Sequence, residues 1–238
     1  MNVLVTGGAR GLGLAISLYY LKMGHSVVVN YNNSSDLALK LKSEYGDRVS
    51  IVRADVSNED DVKRMFDALG KLDVVVNNAG IAKDSDPMEK SAEEFLEVIK
   101  VNLLGTFLVS KYAVNHVDKG CIVNISSTNA LDTYYPESMD YDASKAGVIS
   151  LTHNFSLYLK DRGIRVNVVC PDWIDTDMNL EMDEEYKKSL GVFLKPEEVA
   201  KVVYDVSIDE SVNDAVIRVG DNSCLLYTSP SPRDKRQS

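Results

Sequence analysis

The chain has 238 residues, 45% of them hydrophobic, and a formal net charge of −10. That is apolar surface enough for one sizeable core, yet no apolar run is long enough to cross a bilayer. The acidity argues against nucleic acid or an anionic membrane as partner, and three cysteines, odd in number and at no metal-site spacing, argue against a disulfide framework.

Asn2–Thr6 is a continuous apolar strand that enters a glycine turn at once. No basic stretch precedes it, so it reads as a buried first strand rather than a secretion signal, and a cytoplasmic home is expected. A helical pattern follows to about Met23. Ser26–Asn30 is the second strand, Ser34–Tyr45 a helix capped by Ser34 or Ser35, and Val49–Arg53 the third strand. Ser57, with Asp60 three residues on, is the expected cap of the next helix. Leu72–Val76 is the fourth strand. A long helix is expected from about Ser91 to His116, a strand at Cys121–Ile125, a second long helix over Met139–Asp161 and a strand at Arg165–Val169. Shorter helices are expected near Asp183–Leu190 and Pro196–Val206, the latter with proline in its first turn, before a last strand at Ala215–Val219. Strands apolar on both faces, alternating with helices, specify an α/β fold. The expectation is one doubly wound (Rossmann) domain over residues 1–223, a mostly seven-stranded parallel sheet with helices on both faces.

Composition changes at Cys224. The stretch CLLYTSPSPRD lacks periodicity and resembles the translation of a sequencing adapter, so residues 224–238 are read as a non-native tail; a natural disordered tail is the alternative.

The first strand runs through Thr6-Gly7-Gly8-Ala9-Arg10-Gly11-Leu12-Gly13 straight into a helix. Glycines at such a turn let the backbone approach a pyrophosphate, and the helix N-terminus offers free N–H groups and a positive dipole end. Further on come Asn77-Asn78-Ala79-Gly80 after the fourth strand, Asn102 in VNLLGTF, Ser127 in IVNISS, and Tyr141-Asp142-Ala143-Ser144-Lys145. In this order the motifs resemble the short-chain dehydrogenase/reductases, over about residues 1–220, and are similar to those of the 3-oxoacyl-carrier-protein reductases within that group.

The resemblance implies a nicotinamide dinucleotide held by Gly7, Arg10, Gly11, Leu12, Gly13, Asp55, Val56, Asn78, Ala79, Gly80, Tyr141, Lys145, Ile174 and Thr176, with no metal. Asp55 reads equally as an acid at the start of a helix. An acid at the end of strand two would bind the ribose 2′-OH of NAD. Here Asn30-Tyr31-Asn32-Asn33 stands there, and Arg10 offers a guanidinium suited to a 2′-phosphate, which favours NADP(H) over NAD(H).

The same resemblance implies a catalytic set of Asn102, Ser127, Tyr141 and Lys145. Tyr141 and Lys145 lie four apart and so share a helix face. A nearby ammonium lowers a phenol's pKa, making Tyr141 the general acid in reduction and base in oxidation. Ser127 would hold the substrate oxygen, with Ser126 and Thr128 as competitors for that part. Asn102 would interrupt its helix and hold a water linking Lys145 to solvent. Asp172 stands where relatives have glycine, placing a carboxylate near the nicotinamide. Tyr134, Tyr135, Trp173 and Met178 form the expected substrate pocket for a neutral or partly apolar carbonyl or alcohol, though mutual loop packing explains them too.

The leading reading is an NADPH-dependent ketoreductase. The rivals are an alcohol, sugar or steroid dehydrogenase working oxidatively, and a non-catalytic dinucleotide sensor. Relatives assemble as dimers or tetramers through their long helices, and the apolar faces near Phe107 and Phe155 are compatible with assembly or with core packing.

Overall fold

The computed structural model describes residues 1–177, 185, 187, 190–220 and, as backbone, 223–228. The strands are β1 (Asn2–Val5), β2 (Ser26–Tyr31), β3 (Val49–Arg53), β4 (Leu72–Asn77), β5 (Val117–Ile125), β6 (Arg165–Pro171), β7 (Ala215–Gly220) and β8 (Ser223–Thr228). They form one sheet in the order β3-β2-β1-β4-β5-β6-β7-β8. The first seven are parallel to their neighbours, and β8 runs antiparallel along β7. The edge strand therefore spans the composition change at residue 224. The rest of the tail lies outside the described residues, as does most of the short helix expected near Asp183–Leu190.

Period-two alternation sends successive side chains of one strand into different cores. Val3, Val5, Val74, Val76, Cys121 and Val123 join one cluster with Ile16 and Tyr20 of α1 (Gly11–Lys22), Ala38 of α2 (Ser35–Tyr45) and Val203 of the C-terminal helix Pro196–Ile208. Leu4, Val75, Ile122 and Val166 join the other with Phe66 of α3 (Glu59–Asp67), Leu108 and Val109 of α5 (Gly105–Ala113) and Leu159 of α6 (Met139–Leu159). Apolar side chains on both faces are what made these strands read as buried runs.

One local detail differs from expectation, and another, the interruption expected at Asn102, is seen. The cap of α3 is Asn58 rather than Ser57: its Oδ1 accepts the N–H groups of Asp60 and Asp61 at 3.0 and 3.1 Å. Ser57 is instead drawn to Asp55, whose Oδ1 accepts both its N–H and its hydroxyl. The long helix from Ser91 divides into α4 (Ala92–Ile99), a π-turn over Lys100–Leu104, and α5. The wider turn falls on Asn102, whose carbonyl accepts the Thr106 hydroxyl at 2.7 Å. Helices of this sort open where a side chain intrudes on the ladder.

Strand order reverses between β1 and β4. Connections leave to opposite faces there, so a crevice opens beyond their carboxyl ends. Buried Asn77 and Asn124 tie that end together. They are register partners on β4 and β5, joined at 2.8 Å; Asn77 Nδ2 also donates to Ser110 of α5, and Asn124 Nδ2 to Thr152 of α6.

Candidate active site

The turn from β1 into α1 is built for close approach. Gly7 has φ +61, a left-handed conformation that favours glycine. A Cβ on Gly13 would lie 2.2 Å from the Gly7 carbonyl oxygen, so helix and turn meet there only without a side chain. Thr6 Oγ1 accepts the N–H groups of Asn78 and Ala79, both at 3.0 Å, fastening the segment after β4 to this turn. Asn30 supports it from β2: its Oδ1 accepts the Gly7 N–H at 3.3 Å. No side chain caps the start of α1, and its first N–H groups face the crevice. Such a cradle, with a positive dipole end and no bulk, fits the pyrophosphate of a dinucleotide.

Opposite this turn lie Tyr141 and Lys145, one helical turn apart on α6. Lys145 is only 5% exposed. Its Nζ donates to the Ile125 carbonyl at 2.9 Å and sits 5.4 Å from the centroid of the Tyr141 ring. Burial pushes this ammonium down to about 8. Burial pushes the Tyr141 phenol up to about 12, against the opposing pull of a hydrogen bond with Ser127. The lowering of Tyr141 expected from Lys145 does not set the outcome: desolvation disfavours the charged form of both groups, Asp142 and Asp84 raise the phenol further, and the Ser127 hydrogen bond is the opposing pull. Ser127 is the serine at this centre. The Ser126 hydroxyl is turned away, donating to the Lys145 carbonyl at 2.8 Å.

Asn102 lies behind the centre, fully buried. Its Oδ1 accepts the Ile81 N–H at 2.8 Å, while Nδ2 donates to the Ile81 carbonyl at 2.9 Å and to Ser144 Oγ at 3.0 Å. A Cβ on Gly80 would stand 3.3 Å from Asn102 Oδ1 and 3.5 Å from Lys145 Nζ, so the glycine is what lets three segments converge.

The family profile described as short chain dehydrogenase matches residues 1–187. This chain belongs to the short chain dehydrogenases. It is 35% identical over 249 residues to glucose 1-dehydrogenase 2 of Bacillus subtilis, covering 96% of each chain. To the 3-oxoacyl-[acyl-carrier-protein] reductase FabG of Thermotoga maritima it is 35% identical over 223 residues, 87% of this chain and 90% of the relative. A short chain dehydrogenase from Burkholderia cenocepacia, solved in complex with NADP, superposes with a TM-score of 0.85 at 29% identity, over 91% of this chain and 95% of that one. The family membership makes the chain an NAD(P)-dependent oxidoreductase acting on CH–OH groups.

A crevice of about 800 Å³ joins the glycine turn to the Tyr141 centre. Nearly all the residues singled out from the sequence line it: Gly7, Arg10 to Gly13, Asp55, Val56, Asn78 to Gly80, Ser127, Tyr141, Lys145, Trp173, Ile174 and Thr176. Tyr134 does not; it is 77% exposed. Tyr135 stands behind Trp173, their rings edge-on at 6.4 Å, and Met178 lies outside the described residues. Phe193, which no motif marked, meets the Trp173 ring at 5.9 Å. Asp172 lines the crevice, but its Oδ1 accepts the Trp173 N–H and its carboxylate packs on Gly220, the absence of a side chain there making room for it. Arg10 carries a partner no spacing announces: its Nη1 pairs with Asp177 Oδ2 at 2.8 Å, above Gly11. His116 and His153 face the Gly70 carbonyl and Asp214, and neither lines the crevice.

Proposed function

We propose that the chain is an NADP(H)-dependent ketoreductase in which Tyr141 exchanges the proton, Ser127 holds the substrate oxygen, Lys145 sets the field at the phenol and Asn102 anchors the Lys145 surroundings through Ile81 and Ser144. The observation that carries this is the meeting of Tyr141, Lys145 and Ser127 in the same crevice as the glycine turn. Held at the glycine turn, NADPH would supply the hydride that reduces the carbonyl carbon. Tyr141 gives its phenolic proton to the carbonyl oxygen, and Ser127 steadies that oxygen as charge develops on it. A phenol pushed up to about 12 by burial keeps its proton at neutral pH, as the acid of the reduction must.

NADP(H) is favoured by the residues at the end of β2 and just beyond it. Asn30, Tyr31, Asn32 and Asn33 line the crevice there and none is acidic, while Arg10 stands at the start of α1. Arg53, whose Nε donates to the Asn32 carbonyl at 3.1 Å, adds a second cation nearby. The substrate side, with Trp173 backed by Tyr135 and Phe193, supports a neutral or partly apolar substrate. Exposed Leu96, Phe107, Leu157 and Tyr158 on the long helices support assembly through them, which light scattering after gel filtration tests.

The deciding experiment is a panel of β-ketoacyl thioesters, ketones, sugars and hydroxysteroids, in both directions, with NADP(H) and NAD(H). Fastest turnover is expected for a ketone with NADPH. Tyr141→Phe is expected to lower kcat by ~10²- to 10⁴-fold, the usual worth of a general acid. Turnover retained in that variant rejects the role given to Tyr141.

A further inference from the structure

Ser127 ends a polar chain that runs back from the crevice into the protein. Its Oγ donates to Asn129 Oδ1 at 3.1 Å and accepts the Asn129 backbone N–H at 3.2 Å. Asn129 Nδ2 donates to Asp142 Oδ1 at 2.6 Å. The other carboxylate oxygen, Asp142 Oδ2, accepts the Tyr135 N–H at 3.0 Å. Asn129 is itself only 9% exposed.

The chain has a direction, set at its far end. A carboxylate offers only acceptors. Both Asp142 oxygens face donors, so the Asn129 side chain must turn its NH2 end to Asp142. That leaves only its carbonyl oxygen for Ser127, and the serine hydroxyl must donate to it. Reversing the amide would set oxygen against oxygen at 2.6 Å.

We propose that Asp142 and Asn129 are positioning residues that fix the orientation of the Ser127 hydroxyl at the reacting centre; this rests on the reading of Ser127 as the group that holds the substrate oxygen. Ser127 Oγ is held on the substrate side by two contacts from one residue. Ser127 also shares a hydrogen bond with the Tyr141 phenol; with its own hydrogen committed to Asn129 Oδ1, its oxygen is left to accept from that phenol, and the hydrogen exchanges Asn129 Oδ1 for the substrate oxygen when substrate binds. Through the Tyr135 N–H the same carboxylate also secures the loop behind Trp173, so the substrate wall and the serine share one anchor.

Asp142→Asn tests the direction with little change of shape. The new side chain can keep accepting the Tyr135 N–H, but its NH2 then faces Asn129 and forces that amide to turn over. Ser127 would meet an NH2 group in place of a carbonyl. With the panel ketone that turns over fastest, kcat/KM is expected to fall about ten-fold, the worth of one misdirected hydrogen bond, at near wild-type Tm. In the double variant Asp142→Asn with Asn129→Asp, a carboxylate at position 129 again accepts from both sides, and kcat/KM is expected to recover most of the loss. In a Ser127→Ala background, Asp142→Asn is expected to cost nothing further, since the hydroxyl it orients is gone.

A full ten-fold loss in the Ser127→Ala background overturns the proposal, because the carboxylate then acts by some other route. So does an unchanged kcat/KM for Asp142→Asn in the wild-type background, or a double variant no better than the single one. Full activity in Ser127→Ala alone defeats the reading of Ser127 itself, an outcome distinct from these.

Discussion

Replacing Lys145 by methionine removes a charge that the fold holds at a cost. The ammonium is 5% exposed, and burial sets it at about 8 against the ordinary 10.5. Below pH 8 folded and unfolded chains both carry the proton, and the whole cost of burying it is present. Between pH 8 and 10.5 the unfolded chain keeps the proton while the folded chain releases it, so this lysine's cost to stability fades as pH rises through that window. The gap between the two values is worth about 3 kcal/mol at neutral pH. Methionine has similar bulk and no charge, but it forfeits the hydrogen bond to the Ile125 carbonyl, a loss of about 1 kcal/mol. Lys145→Met is therefore expected to be more stable than wild type by about 2 kcal/mol at pH 7, an advantage that vanishes near pH 10. Urea unfolding of both proteins at the two pH values measures it, read from the midpoint at constant slope. Cys121, held up at about 11 by burial, destabilises both proteins alike at alkaline pH and cancels in the difference. Activity is expected to be lost. A variant that is less stable at pH 7, or whose advantage persists at pH 10, refutes the assignment of Lys145 as a desolvated ammonium.

Three further predictions concern charges in and beside the site. Arg10→Ala is expected to raise the KM for NADPH about ten-fold and leave that for NADH within two-fold, roughly the worth of one charge-assisted contact. Asp177→Ala removes the competing partner of Arg10; since an exposed pair contributes ~1 kcal/mol at most, the KM for NADPH is expected to fall no more than about five-fold. Steady-state kinetics with both cofactors checks each, and equal effects on NADH and NADPH would remove Arg10 from the 2′-phosphate. Beside the site, Lys90 and Asp140 form a buried pair at 2.8 Å, their side chains 3% and 0% exposed. Asp140→Ala leaves the ammonium without its counter-ion, with the Lys83 and Glu137 carbonyls as remaining acceptors, and is expected to cost about 3–5 kcal/mol in denaturant unfolding, whereas a loss below about 1 kcal/mol would mean that those carbonyls or solvent satisfy Lys90.

The parts legible in the sequence were those set by short-range rules. Apolar runs and glycine punctuation located the strands because period-two alternation and positive φ act within a few residues. The glycine turn, the Asn78 segment and the Tyr141–Lys145 spacing were visible for the same reason. Contacts made by distant segments left no local trace. Asp177 lies 167 positions from Arg10, and Lys90 is 50 from Asp140, so no window of sequence joins them. Asn129 sits two residues past Ser127 in plain view, but its role depends on a carboxylate brought up by another element. Tyr141 shows the same limit in energy: spacing put an ammonium near the phenol, while depth of burial, which spacing does not encode, decided the sign of the shift.

These observations converge on how the crevice is arranged. Its floor is set by groups that have lost freedom: Asn102 is bonded at both ends of its amide, Asn129 is oriented by a carboxylate, and Lys145 is held by one backbone carbonyl. The rim is more exposed, with Arg10 and Asp177 in a solvent-facing ion pair. Proton transfer and hydride transfer need the floor fixed to a fraction of an ångström, because reacting atoms must meet in one geometry. On the proposed reading the rim must yield, since Asp177 stands above Gly11 and a cofactor phosphate would compete with it for Arg10. Stability is therefore given up at the buried lysine and only partly recovered through the Ile125 carbonyl, which is why its removal is expected to strengthen the fold while ending the chemistry.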